Sequence, residues 1–220
     1  MSLALDVRSL TVGPVAENTY IVRAEDSSRT LLIDPGAEPE RLIDAIDALE
    51  LTIEAILITH THFDHVGAVA ALARHTGAPV YCPALERDDL AELEAFGDRT
   101  GFGPFESYEA DELLSGGERL ELAGLELEVS FTPGHSRGHL SYAIPAHAAL
   151  FSGDVLFAGS VGRVDLPGGD WPTLLASIAQ LLDTYPGQMR VHPGHMSLTT
   201  LGAERESNPF LAELRAAAAG

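Results

Sequence analysis

The sequence predicts an α/β protein built as a four-layer αββα sandwich, two mixed sheets face to face with helices on both outer faces. Two observations carry this. Strand-like runs alternate with amphipathic helical segments in each half of the chain, a pattern that sheet-on-sheet packing with helices outside satisfies. No linker composition separates the halves, so 1–220 is read as a single domain, long enough to bury a real core.

Leu3 to Leu10, Asn18 to Ala24 and Thr30 to Asp34 read as short strands. Gly13-Pro14 and the polar stretch Glu25 to Arg29 separate them, and Asp34-Pro35-Gly36 closes the third. Leu42, Ile43, Ile46 and Leu49 recur at helical spacing, giving an amphipathic helix from about Glu38 to Glu50. Ile53 to Ile58 is a buried strand, and Val66, Val69, Ala70, Leu72 and Ala73 continue as a helix ending near Gly77. Pro79 to Cys82 is a strand and Ala84 to Phe96 a charged amphipathic helix. Gly97 to Pro104 is expected to be a mobile glycine-rich loop beside the site. Leu120 to Leu122 and Leu125 to Phe131 form a hairpin through Ala123-Gly124, and His139 to Ile144 and Ala149 to Phe151 are two more strands. Trp171 to Tyr185 is a helix, Met189 to Val191 the last strand, and a C-terminal helix runs from Ala203.

The net charge is −20 and every basic residue is arginine. Such a surface repels nucleic acid and anionic lipid, so neither is an expected partner. No apolar run approaches the ~20 residues of a membrane span. One cysteine, Cys82, excludes an internal disulfide and suits a reducing cytoplasm. It sits in an apolar strand, as a buried inert thiol would.

Thr59-His60-Thr61-His62-Phe63-Asp64-His65 organises the chain. It follows an apolar strand and precedes a helix, so a loop and a first helical turn bring imidazoles and a carboxylate to one point. Those are ligands that divalent zinc, iron and manganese accept. Thr132-Pro133-Gly134-His135, Ser152-Gly153-Asp154 and Val191-His192-Pro193-Gly194-His195 each place a further candidate after an apolar strand and a turn. Strand ends gathered on one sheet edge are where layered folds build sites.

These motifs, with Gly162-Arg163-Val164-Asp165-Leu166-Pro167-Gly168-Gly169-Asp170, Glu204-Arg205 and Asn208-Pro209, together resemble the metallo-β-lactamase superfamily. Within it the chain looks most like glyoxalase II (hydroxyacylglutathione hydrolase) and its short relatives lacking the C-terminal helical domain. The resemblance implies that His60, His62 and His135 hold one metal, that Asp64, His65 and His195 hold a second, and that Asp154 bridges. Asp64 and Asp154 are the implied catalytic carboxylates. Two divalent ions are expected, zinc first, with iron or manganese as alternatives. They would lower the pKa of bound water to about 7 and supply hydroxide to a thioester carbonyl. The expected substrate is a small-molecule thioester. Arg137, Arg163 and Arg205 are candidates for a substrate carboxylate, because the lysines used by glyoxalase II have no counterpart here. His139 and His192 are candidate donors behind the ligands. The alternative readings are a persulfide dioxygenase with one iron, or a lactone hydrolase.

Overall fold

A computed structural model describes residues 4–100 and 102–218. Leu3 of the expected first strand and Gly101 of the expected loop lie outside them. The first sheet runs β1 (Leu5–Val12), β2 (Glu17–Ala24), β3 (Arg29–Ile33), β4 (Thr52–Leu57), β5 (Val80–Pro83), β6 (Glu112–Leu114), in that spatial order. The first three are antiparallel; β3 to β6 are parallel, each joined to the next through a crossover. The crossover segments carry α1 (Pro39–Ala48), α2 (Phe63–Val66), α3 (Val69–Thr76), α4 (Arg87–Ala91) and α5 (Leu93–Thr100).

The second sheet repeats this plan. It contains β7 (Arg119–Leu122), β8 (Leu125–Phe131), β9 (Leu140–Ile144) and β10 (Ala149–Gly153), antiparallel in turn. A two-stranded ribbon, β11 (Leu156–Phe157) with β12 (Ser160–Val161), and helix α6 (Trp171–Thr184) lead to β13 (Arg190–Pro193), which lies parallel to β10. β14 (Thr199–Thr200) closes the edge, followed by α7 (Leu201–Ser207) and α8 (Ala212–Ala218). The β7–β8 turn puts both Ala123 (φ 53) and Gly124 (φ 75) in the left-handed region, which a two-residue hairpin requires. Asp170 caps α6 by accepting from the Thr173 N–H at 3.0 Å, and Pro172 follows in the first turn.

Three apolar clusters separate four layers. Leu42, Ile46, Val69 and Leu72 of the helices cover Ile21, Leu32 and Ile56 of the first sheet. Tyr20, Val22, Leu31 and Leu57 meet Leu127, Val129, Tyr142 and Phe151 between the sheets. Leu174, Ile178 and Leu181 of α6 cover Leu150 and Val191 of the second sheet. The αββα expectation therefore holds. Glu54 is bulged out of the β3–β4 register, so Ile53 and Ile56 face the same layer despite odd spacing.

Three expected helices differ in detail. The segment expected from Val66 breaks at Gly67-Ala68 into α2 and α3, with Gly77 (φ 68) ending the latter. Ala84 to Phe96 is a 3₁₀ turn (Ala84–Glu86) followed by α4 and α5. α5 runs on to Thr100, so half of the expected loop is helix. Gly97 is tolerated there because Phe105 packs on it: a Cβ at Gly97 would stand 3.0 Å from that ring. The C-terminal helix breaks at Asn208-Pro209, where Asn208 caps the next turn. Among the described residues no helix is long and apolar enough to cross a membrane. Cys82 is buried, and burial raises its thiol far above the ordinary range.

Candidate metal centre

The parallel strands β4, β10 and β13 end at one edge of the sandwich, and each chain turns there into a loop. The two sheets are tied together at this edge. The Leu140 N–H donates to the Thr59 carbonyl at 2.8 Å, and the Asn18 N–H to the Gly194 carbonyl at 2.8 Å. The hydroxyls of Tyr142 and Tyr20 donate to the Ile58 and Pro193 carbonyls, both at 2.7 Å. β10 is bulged at Ser152, and Gly153 (φ 48) then turns the chain to aim Asp154 inward. A side chain at Gly153 would lie 2.6 Å from both His139 Nε2 and Thr59 Oγ1, so only glycine fits.

His60, His62 and His135 meet as expected. His135 Nε2 lies 3.2 Å from His60 Nε2 and 2.8 Å from His62 Nδ1; His60 Nε2 and His62 Nδ1 are 3.1 Å apart. Neighbours fix two tautomers. The Thr59 hydroxyl donates to Asp34 Oδ2 at 2.6 Å, so at 3.1 Å it accepts from His60 Nδ1. His135 Nδ1 donates to the Arg163 carbonyl at 2.8 Å. Both Nε2 atoms therefore carry lone pairs, and these face each other whichever tautomer His62 takes. A cation is what converts that repulsion into attraction. Burial, with the neighbouring imidazoles, holds His60 well below its usual pKa and His62 at about 4; burial also lowers His135. The three are therefore neutral at pH 7, as candidate nitrogen donors need to be.

The second set adjoins it. His195 Nε2 is 3.2 Å from Asp64 Oδ2, and His65 Nε2 is 3.8 Å from the same oxygen. Asp154 reaches both sets: Oδ1 lies 3.4 Å from His65 Nε2, and Oδ2 lies 3.5 Å from both His135 Nε2 and His195 Nε2. His65 Nδ1 donates to Asp34 Oδ2 at 3.0 Å, which aims Nε2 at the carboxylates of Asp64 and Asp154. His65 Nε2 and Asp154 Oδ1 are buried polar atoms without hydrogen-bond partners, as expected of ligand atoms aimed at an ion. Burial opposes charge here, but Asp154 and Asp34 push His65 well above the imidazole range. Against the same burial, His65, His135 and His195 hold Asp154 far below the carboxylate range. Residues His60, His62 and His135, and Asp64, His65 and His195, each offer atoms mutually close enough for one ion. The donor set fits two divalent cations.

Residues that the motifs do not mark hold these candidate ligands in place. Asp34, closing β3, accepts from Thr59 N (2.7 Å), Thr59 Oγ1 and His65 Nδ1, so one carboxylate orients a histidine of each set. Glu86 is buried and joins two ligand loops. Its Oε2 accepts from Thr61 N (2.8 Å) and Thr61 Oγ1 (3.0 Å); its Oε1 accepts from Ser136 Oγ (2.6 Å) and Gly138 N (2.7 Å). Glu17 is also buried, with Oε1 4.0 Å from His65 Nδ1. His139 accepts from the Asp154 N–H at 3.1 Å through Nε2 and donates through Nδ1 to Thr132 Oγ1, as expected of a residue behind the ligands.

His192 does not. Along β13 it faces the inter-sheet core, stacked on Phe151 at 4.8 Å, with both ring nitrogens buried and unpartnered. Its place in the strand alternation turns it away from the ligands. The three arginines are each engaged by acids of this chain. Arg137 binds Asp89 (2.7 Å) and the Leu85 carbonyl, and Arg163 binds Asp165 through both oxygens (2.6 and 2.7 Å). Arg205 binds the Leu182 carbonyl and Asp183. Of the three, Arg163 touches the site, through its backbone carbonyl on His135.

With this geometry in hand, the sequence matches the family described as the metallo-beta-lactamase superfamily over residues 12–195. The chain belongs to that superfamily. It is 38% identical over 210 residues to the hydroxyacylglutathione hydrolase GloC of Haemophilus influenzae, covering 94% of this chain and 98% of that one. Its fold superposes on the BLEG-1 B3 metallo-beta-lactamase with a TM-score of 0.88 and 41% identity, over 94% of this chain and 100% of that one. TTHA1623, solved in a di-iron-bound form, gives a TM-score of 0.84 and 43% identity over 93% of this chain and 100% of that one. Relatives this similar thus carry the names of a hydroxyacylglutathione hydrolase and a B3 metallo-beta-lactamase, and one was solved with two irons bound.

Proposed function

We propose that the protein is a thioester hydrolase of the hydroxyacylglutathione type, working in the cytoplasm with two divalent cations, zinc first among them. The observation that carries this reading is Asp154, whose two oxygens address both ligand sets at 3.4–3.5 Å. His60, His62 and His135 would hold one ion, Asp64, His65 and His195 the other, with Asp154 between them. When bound, such ions bring the pKa of water to about 7 and polarise a carbonyl oxygen.

The chain's own residues do the rest. Asp64 stays ionised, because His195 and His65 outweigh the upward pull of its burial. Its carboxylate is the group placed to orient the attacking water and accept its proton. Asp34 and the Arg163 carbonyl fix the Nδ1–H tautomers of His65 and His135, so that Nε2 stays free for ligation. His139 holds the Asp154 backbone, and therefore the position of the shared carboxylate.

The similarity to GloC over nearly the whole chain supports the thioester class. The test is turnover of S-lactoylglutathione by the metal-free and the zinc- or iron-loaded protein, with a β-lactam and an acyl-homoserine lactone as controls. Metal-dependent thioester turnover that Asp64→Asn lowers about 10²-fold is the expected result. No thioester turnover by the loaded protein would remove the assignment.

A further inference from the structure

Among the described residues, eight large hydrophobic side chains are exposed, and five of them sit on segments that carry or contact the candidate ligands. Phe102 (57% exposed) stacks on Phe63 at 4.6 Å and 12°, and Phe63 lies between His62 and Asp64. Met196 (59%) and Leu198 (55%) follow His195. Val15 (45%) precedes Glu17, which bridges to His195. Leu85 (59%) adjoins Glu86 and gives its carbonyl to Arg137 in the His135 loop. Met196 is moreover held at φ 68, a region that non-glycine side chains seldom adopt, with its carbonyl accepting from Asn18 Nδ2 at 2.9 Å. The Asn18 contact holds Met196 in this conformation directly after His195.

We infer that these side chains form an apolar rim that receives an extended hydrocarbon part of the substrate, so that the preferred thioesters carry apolar groups of several carbons. This rests on the hydrolase reading of the same site and names its substrate class. Small-molecule sites are lined mainly by apolar and aromatic side chains, and exposed apolar groups on the segments around a candidate site mark a binding surface. Polar recognition is the weaker candidate. Arg137, Arg163 and Arg205 are already bound to acids of this chain, and a protein of net charge −20 disfavours a polyanionic ligand.

The probe is a series of non-hydrolysable S-alkyl-N-acetylcysteamine thioethers, from ethyl to octyl, titrated calorimetrically into the zinc-loaded protein. Full burial of a methylene is worth about fourfold in affinity, and an open rim supplies about half that free energy, so Kd should fall about twofold per added methylene. The double variant Phe102→Ala/Met196→Ala should flatten this dependence. Phe210→Ala, which removes an exposed aromatic from another part of the surface, should leave it intact. A flat series in the unmodified protein, or an unchanged slope in the double variant, overturns the inference. So does a dimer in sedimentation that the double variant dissolves, because a second copy would then be the occupant. Length-dependent binding without turnover of any thioester would refute the hydrolase reading and leave the rim standing. Turnover of S-lactoylglutathione with flat binding would do the reverse.

Discussion

The three-histidine set and the carboxylate-bearing set share Asp154 but differ in electrostatics. His60 and His135 are buried and His62 half-buried, and all three are neutral and lowered in pKa. In the other set His65 and His195 are raised, against the pull of their burial, by Asp154, Asp34 and Asp64. The first set is therefore a group of neutral nitrogen donors whose lone pairs persist as pH falls. The second already carries the negative charge that a cation and a nucleophile need. One fold edge thus sets neutral nitrogen donors beside ionised carboxylates, and Asp154 reaches both sets.

Four substitutions test that contrast. Asp154→Ala strikes both sets, and activity should fall at least about 10³-fold, as expected when a group serving both acid–base chemistry and ligation is lost; steady-state kinetics with metal analysis checks it. Asp64→Asn should cost about 10²-fold in kcat while the three-histidine set keeps its ion. Loss of that ion as well would erase the distinction between the sets. Glu86→Gln keeps the shape but removes one acceptor from the tie between the His60–His65 loop and the His135 loop. Affinity for the first ion should weaken about tenfold, with the second unchanged in a chelator competition.

His192→Phe should change activity least and isolates a histidine outside both sets. Burial, aided by Arg190, lowers His192 to about 4. An unfolded histidine titrates near about 6.5, so between these values the unfolded chain binds a proton that the native chain does not. Stability is therefore full above about pH 6.5 and is lost as pH falls toward 4, by up to about 3 kcal/mol from this residue. His192→Phe should flatten the dependence of Tm on pH across that window. An unchanged slope would assign the acid sensitivity to the metal-site histidines instead.

The layers and the ligand motifs were legible because both leave local patterns. Alternation and helical spacing mark the elements, and ligands that follow strand ends stay close in sequence. Asp34, Glu86 and Glu17 were not legible as site residues, since each is a single acid whose partners come from distant segments. Two signals existed. Asp34 follows an apolar strand just as Asp154 does, and Glu86 stands at i, i+4, i+7 with the buried Leu90 and Leu93, an acid on an apolar helical face. The role expected of His192 failed because it lies within β13, turned toward Phe151, whereas His195 follows the end of that strand. The break between α4 and α5 was missed because hydrophobic spacing continues through it.

The most direct test is a titration of the metal-free protein with zinc, read by calorimetry and confirmed by elemental analysis, on the unmodified chain and on Asp154→Ala. Two ions per chain, both weakened together by loss of Asp154, is the predicted result. A single ion, or two whose affinities ignore Asp154→Ala, would contradict a shared carboxylate at the heart of the site.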